Sequence, residues 1–384
     1  MIFKEIRIKN FRNLSELSTK FSPRINFFVG NNGQGKTNLL EALYLFSNGE
    51  SFRYGENSVL IQDQQQESLV QVVAESKNLQ YDLKLHLQKS KKTFTANDKK
   101  IPTAELRKRF TCVLFSPESL SSIKEAGDQR RDLVDELLVS LSSINADLLW
   151  EYKKALRSRN KLLKDASEGI TLRNQTLALL ESLEPSFLRL ASQLTYARLQ
   201  ALKSLLPEFN AAMRDISQGP QKDSPVDISV EYSMSGQNAL QKTLEEVHEM
   251  LHKRILELRD AELASGASLV GPQKHDIIFL YGQKDSRFYC SQGQQRAIIL
   301  SFKMAQIVNH RRVHGFYPAL MLDDVLSELD EGKRTALINF LHEINTQIFI
   351  TTTDLTLPQS FALESFSVKE VKDGALDEAF TKTK

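Results

Sequence analysis

Two cysteines in 384 residues, Cys112 and Cys290, leave no disulfide framework, and a reducing compartment suits such a chain. No stretch approaches the ~18 uncharged apolar residues that a bilayer-spanning helix needs. The start, MIFKEIRIKNFRNL, alternates like a strand and lacks the apolar run of a signal peptide; the closing TKTK carries no prenylation box. These absences predict a cytosolic protein with no membrane partner. An excess of one charge is missing too, since 50 Lys and Arg stand against 48 Asp and Glu for a formal net charge of +2. No global field announces a nucleic acid, so any such partner must be held by a local patch. With 41% apolar and 26% charged residues, what remains is an ordinary globular composition. That excludes a disordered chain and a collagen-like fibre. At roughly 150 residues per domain, the length predicts two or three units.

Glycine is scarce in the middle of the chain. Of sixteen, only Gly169 lies between Gly127 and Gly219, while Gly30, Gly33, Gly35, Gly49 and Gly55 cluster early and seven fall from Gly266 to Gly374. The glycine-poor runs are rich in Leu, Ala, Glu, Lys and Arg, with apolar residues at three- and four-residue spacing. Leu137, Leu138, Leu141, Ile144, Leu148 and Leu149 draw one such stripe, and Ala239–Ala264 reads the same way. Long helices are expected there. The flanks read as strands at Ile2–Ile8, Ile25–Val29, Leu69–Ala74, Tyr81–Leu87, Val113–Phe115 and Ile277–Tyr281. Ala319–Leu322 and Gln347–Thr351 are short apolar runs suited to buried parallel strands. Helices are expected at Lys36–Phe46, Gln294–Val308 and Glu331–Glu343. The economical arrangement is one α/β domain interrupted by a helical insertion, with Pro220–Pro225 as a flexible loop.

Three local patterns carry chemistry. Gly30-Asn31-Asn32-Gly33-Gln34-Gly35-Lys36-Thr37 fits G-x-x-x-x-G-K-[ST], between a strand (INFFV) and a helix (KTNLLEALYLF). A glycine-rich turn there bares backbone N–H groups at a helix start, where anions bind. Lys36 would neutralise the β- and γ-phosphates of ATP, and the Thr37 hydroxyl would ligate Mg²⁺. Second, the apolar strand at Ala319–Leu322 ends in paired carboxylates, Asp323 and Asp324. Asp323 is placed to hold Mg²⁺, and Asp324 to orient an attacking water; a helix N-cap is the structural alternative for Asp324. Third, Ser291, Gly293 and Gln294 (SQGQQR) precede a helical run and form a second anion-binding helix start. Two phosphate cradles in one chain make sense if each nucleotide is sandwiched between two subunits.

The order FRN, GNNGQGKTNLLEAL, SFR, LFSPESL, YKKALRSRN, GPQKHD, SQGQQR, LMLDDVLSELD and ITTTD resembles the RecF family of bacterial recombinational-repair ATPases, over about residues 1 to 355. The resemblance implies an α/β fold: an ABC-type P-loop ATPase head (lobe I) with an inserted, mainly helical lobe II. Lobe I would comprise 1–118 and 269–384, and lobe II 119–268. It also implies ATP-dependent homodimerisation, slow hydrolysis and DNA binding. With RecO and RecR, such a protein helps load RecA at single-strand gaps and supports the SOS response. Carried over by motif, Gly30 to Thr37 would bind ATP and Mg²⁺, and Lys36, Asp323 and Asp324 would serve hydrolysis. Ser291, Gly293 and Gln294 would touch the partner subunit's γ-phosphate, and Arg12 and Asn13 would approach the nucleotide from the first strand. Ser327–Asp330 would line the dimer interface, and Thr351–Asp354 would sense the γ-phosphate end. Two stretches depart from the pattern. GPHRDD reads Gly271-Pro272-Gln273-Lys274-His275-Asp276 here, and G-P-x-x-R-R reads GDQRR.

Two stretches concentrate positive charge. His86 to Phe110 holds eight Lys and Arg against two acids, and Glu151 to Lys164 six against one. Such stretches suit salt-sensitive contact with a DNA backbone, single-stranded, gapped or duplex. One alternative is an SMC-like head that scaffolds DNA without turnover. A remoter one is a zinc hydrolase: His248-Glu249-Met250-Leu251-His252 fits H-E-x-x-H, but its surroundings read as an ordinary charged amphipathic helix.

Overall fold

Alternation builds the first layer. In the computed structural model, which describes residues 1–53, 56–76, 78–217, 226–353 and 366–382, strands β1 (Ile2–Phe11), β4 (Glu67–Ser76) and β5 (Leu79–Gln88) bury near-alternate residues. Together with β2 (Leu14–Lys20), β6 (Lys91–Ala96) and β7 (Lys99–Lys100) they form an antiparallel sheet in the order β2-β1-β4-β5-β6-β7. The second sheet obeys a different rule. β3 (Ile25–Val29) and β13 (Ala319–Asp323) are buried at every position, as parallel strands covered on both faces must be. With β8 (Cys112–Phe115), β14 (Ile348–Thr352), β15 (Phe366–Lys372) and β16 (Ala375–Lys382) they give the order β16-β15-β3-β14-β13-β8, antiparallel only at β16. The helix α1 (Lys36–Asn48) contributes Leu39, Leu40, Leu43 and Phe46 to a core cluster shared with Ile6, Val72 and Leu85 of one sheet and Met321 and Phe349 of the other. Short helices α2 (Thr103–Arg109) and α3 (Pro117–Ser121) flank β8 in sequence. The strands of the flanks thus belong to distinct sheets.

The chain divides into two compact units, the first Met1–Leu120, Arg214–Asp223 and Leu300–Lys384, the second Ser121–Met213 and Ser224–Ile299. The second unit holds α4 (Gly127–Leu141), α5 (Ser143–Ser167), most of α6 (Arg173–Ser217), α7 (Leu244–Ser265), α8 (Ser286–Tyr289) and the start of α9 (Gln292–His314). The last helix, α10 (Glu331–Glu343), returns to the first unit. Two buried ion pairs pin the second unit's helices. Arg159 on α5 meets Glu262 on α7 at 2.7 Å, and Arg198 on α6 meets Asp135 on α4 at 2.8 Å. Removing one partner of such a pair leaves an uncompensated buried charge and costs about 3–5 kcal/mol.

Besides its helices, the mainly helical second unit holds a small sheet: β9 (Ile228–Met234) and β10 (Gln237–Asn238) join β11 (Asp276–Tyr281) and β12 (Lys284–Asp285) in the order β10-β9-β11-β12. Three expectations differ from what is found. Because β11 pairs with β9, from Asp276 opposite Ser233 to Tyr281 opposite Ile228, the second unit extends past the expected boundary at 268/269. The apolar stripe from Leu137 to Leu149 does not lie on one helix. Ser142, at φ −160°, ends α4 and caps α5 by accepting from the Ile144 N–H, which leaves Ile144 75% exposed. Finally, α7 starts at Leu244 rather than Ala239, because Thr243 and Glu246 close a capping box. Pro220–Pro225 and Asp354 lie outside the described residues.

Candidate functional site

The phosphate-loop pattern folds as its residues require. β3 runs into the loop and α1 leaves it, with Gly33 at φ 82° and Gly35 at φ 111°. Only glycine takes such angles freely, and they gather N–H groups into an anion-binding concavity at the helix start. At Gly35 a Cβ would lie 2.8 Å from Leu14 and 2.9 Å from the Asn13 amide oxygen, so the loop is closely backed. Lys36 is 6% exposed, and its ammonium donates to the main-chain oxygens of Gly30 at 2.6 Å and Asn31 at 2.9 Å. Burial lowers its pKa, against the pull of Asp324 and Asp323. Asn31, Asn32 and Gly33 are exposed at the mouth of the loop.

The acidic pair arrives on β13. Asp323 is 6% exposed, and its Oδ1 accepts from the hydroxyls of Thr37 at 2.9 Å and Thr351 at 2.8 Å. Burial raises its pKa, the two hydroxyls oppose that shift, and the nearby charges of Glu118 and Asp324 reinforce it. A buried carboxylate bonded by neutral donors, and acted on by the charges of Glu118 and Asp324, is chemically suited to a cation. The oxygen donors Thr37 and Asp323, with Glu118 and Asp324 near, fit Mg²⁺, which takes one or two carboxylates and completes its shell with water and phosphate oxygens. Among the described residues no group of three His, Cys, Asp or Glu forms an all-protein metal cage, as such an ion would not need one.

Asp324 occupies the left-handed region at φ 50°, its N–H held by the Thr351 hydroxyl at 2.9 Å. It stands at the N-cap position of the short turn Val325–Glu328, yet its side chain makes no capping bond, and its Oδ1 is buried without a hydrogen-bond partner. The structural duty that the sequence allowed it is therefore not discharged. A positive φ is one that Asp tolerates better than most residues, and it sets this carboxylate beside Asp323 at the end of β13. Of the interface candidates after it, Ser327 Oγ donates to the Asp324 main-chain oxygen at 2.7 Å, and Asp330 caps α10.

Arg12 and Asn13 form the β1–β2 turn, and both reach the neighbourhood of the loop. Asn13 donates to the Gly33 main-chain oxygen at 3.1 Å. Arg12, at φ 53°, instead commits its guanidinium to the buried Glu41 of α1, at 2.9 and 2.7 Å. The sequence missed Glu41, because a lone acid on an apolar helix face carries no motif; only its burial between Leu40 and Ala42 identifies it.

Ser291, Gly293 and Gln294 belong to the second unit. Ser291 Oγ accepts from the Gln294 N–H at 3.2 Å, while Gln294 Oε1 accepts from the Ser291 N–H at 2.9 Å. This reciprocal pair is a capping box at the start of α9, readable as S-x-x-Q. Ser291 is exposed, with its hydroxyl proton not used by the cap. The two departing stretches turn out to be each other's partners: Arg130 makes a two-pronged pair with Asp276 at 2.9 Å, and Arg131 donates to the His275 main-chain oxygen at 2.8 Å. His275, where the pattern has an acid, is buried and bonded to the Tyr232 hydroxyl at 3.1 Å; burial, Arg198 and Arg131 lower its pKa to about 3.

The two basic stretches fare differently. On α5, Lys153, Lys154, Arg157, Lys161 and Lys164 are exposed, but Arg159 is consumed by Glu262. In the other, Lys89, Lys91, Lys99, Lys100 and Arg109 are exposed, whereas Phe94 and Phe110 are core residues against Phe46 and Tyr81 and offer no stacking platform. His248 and His252 are exposed on α7 with ring centroids 6.5 Å apart. No helix among the described residues is long and apolar enough to cross a membrane.

Comparison with known proteins agrees with this geometry. The family profile of the RecF/RecN/SMC N-terminal domain matches residues 2–375. The chain is 33% identical to the DNA replication and repair protein RecF of Halothermothrix orenii over 98% of both chains. It is 35% identical to that of Lactobacillus acidophilus over 92% of this chain and 93% of the relative. It superposes on the solved structure of the recombination mediator protein RecF with ATP in the RecFOR pathway with a TM-score of 0.85, at 28% identity over 99% of this chain and 98% of that one. The Smc head domain of Pyrococcus furiosus matches in fold, with a TM-score of 0.54 at 14% identity over 100% of this chain and 96% of that one. The fold is that of an ABC-type ATPase head.

Proposed function

The chain belongs to the RecF family, and from that premise we propose that it is an ATP- and DNA-binding protein of recombinational repair and replication restart. One observation carries the nucleotide half of this reading: Asp323, buried and flanked by Thr37, Thr351, Glu118 and Asp324, ends its strand beside the phosphate loop. Thr37 and Asp323 would hold Mg²⁺, which neutralises phosphate charge when bound. Lys36 would exchange the carbonyls of Gly30 and Asn31 for phosphate oxygens, and Asp324 would orient a water through its unpartnered Oδ1. Ser291, with Gly293 and Gln294, would present the cap of α9 to a nucleotide held by a second copy. ATP then closes a homodimer, and slow hydrolysis reopens it.

DNA would be held through its backbone by the exposed cations of α5 and of the β6–α2 region, and released when the dimer opens. The solved relative is a recombination mediator of the RecFOR pathway, which supports RecO and RecR as partners. Helping to load RecA at single-strand gaps and supporting the SOS response complete the proposed role. Calorimetric titration with ATP and Mg²⁺ tests the nucleotide half. The wild-type chain should bind, and Lys36→Ala should abolish binding. A wild-type chain that binds no nucleotide overturns the reading.

A further inference from the structure

The hairpin β15–β16 reaches the phosphate loop. β15 lies parallel to β3, with Phe366 opposite Ile25 and Glu370 opposite Val29, so its turn comes level with the loop that follows β3. The turn is Asp373-Gly374 at φ 49° and 76°, the pair of positive angles of a type I′ hairpin. Its two N–H groups converge on one residue of the loop. Asp373 donates to Gln34 Oε1 at 2.5 Å, and Gly374 donates to the Gln34 main-chain oxygen at 3.0 Å. The close approach leaves no spare room: a Cβ at Gly30 would lie 2.3 Å from the Val371 main-chain oxygen, and one at Gly374 2.5 Å from that of Asn13. The Asn13 bond to Gly33 holds the neighbouring stretch of the loop. The Gln34 amide oxygen is therefore engaged by the hairpin, and what the loop offers a phosphate at this position is its main-chain N–H.

We propose that the Asp373-Gly374 turn, acting through Gln34, is a positioning element that holds the phosphate loop ready for the β-phosphate shared by nucleoside di- and triphosphates. A loop with glycines at 30, 33 and 35 has much backbone freedom to lose on binding. Contacts that order it beforehand remove that loss from the binding step. Because the loop cradles the phosphates common to ADP and ATP, loosening it weakens both to the same degree. A residue that senses the γ-phosphate would instead weaken ATP alone. The inference rests on the nucleotide reading above.

Calorimetric titration of the full chain with ADP and with ATP, each with Mg²⁺, tests it, alongside thermal unfolding without nucleotide. Gln34→Met keeps the side-chain length and removes the acceptor. It should weaken both nucleotides about 5- to 10-fold, the scale of one neutral hydrogen bond, with the ligand-free melting temperature shifted by no more than about 2 °C. Gly374→Ala, which brings a Cβ against the Asn13 oxygen, should weaken both nucleotides as well. The double variant should lose less than the sum of the two single losses, because both loosen the hold of the same turn on Gln34. Wild-type affinity in Gln34→Met, a loss confined to ATP, or fully additive losses would overturn the positioning role. Failure of the wild-type chain to bind either nucleotide would instead overturn the nucleotide reading, and this inference with it.

Discussion

Asp323 shows what the proposed Mg²⁺ ligand costs the fold. Its pKa is raised chiefly by burial, so the folded state prefers its neutral form more than the unfolded chain does. The stability this confers is fully present below the ordinary carboxylate pKa and is lost as pH rises through the raised value. At neutral pH Asp323 therefore destabilises the ligand-free protein, and Asp323→Asn should raise its melting temperature while removing Mg²⁺-dependent nucleotide binding. Differential scanning calorimetry with and without MgATP checks both; a lower melting temperature would contradict the assignment. His275 has the opposite sense. Its pKa is depressed to about 3 by burial and by Arg198 and Arg131, so its contribution holds above the ordinary histidine pKa and is lost as pH falls from about 6.5 toward 3. Across that window one such group costs about 1.4 kcal/mol per pH unit. His275→Asn should flatten the acid limb of a denaturation series by about that slope, and an unchanged limb would remove His275 as its cause.

Among elements, α5 has the sharpest division of labour. Tyr152, Arg159 and Leu163 face inward, Arg159 onto Glu262, while Lys153, Arg157, Lys161 and Lys164 recur at the spacing of one exposed helix face. A stripe of this kind contacts phosphates independently of sequence. Replacing Lys153, Arg157 and Lys161 with Glu should weaken DNA binding and reduce the slope of log affinity against log salt by roughly 2–3. A fluorescence-anisotropy salt series that returns the wild-type slope would exclude this face. The same helix shows where sequence reading stops. Short apolar runs located β3 and β13, and helix-forming stretches located α1 and α10, almost to the residue, because each segment has clear ends. They could not reveal that Arg159 is buried while Arg157 is solvated, since only the opposing α7 decides that. β9 was legible and passed over: ISVEYSM alternates strictly, but the helical runs around it dominate the segment. The hairpin β15–β16 was legible too, through Asp373-Gly374 between alternating residues.

For the molecule as a whole, the phosphate loop and acidic pair could be read from linear motifs, because strand, loop and helix follow one another in sequence. Arg12–Glu41, Thr351–Asp323 and Gln34 with the hairpin turn could not, since each joins segments distant in the chain. The near-zero net charge of +2 also finds its explanation at this scale. Many cations are matched internally, as Arg130, Arg159 and Arg198 are, which leaves the exposed stripes as the positive surface. Holding DNA in one nucleotide state and letting go in another is the proposed use of that surface. The central claim is that ATP joins two copies through Ser291, and sedimentation velocity tests it most directly. With MgATP the wild-type chain should run as a dimer, and with ADP or no nucleotide as a monomer. Ser291→Ala should bind ATP with wild-type affinity and remain monomeric. A Ser291→Ala variant that dimerises normally with ATP would contradict the account.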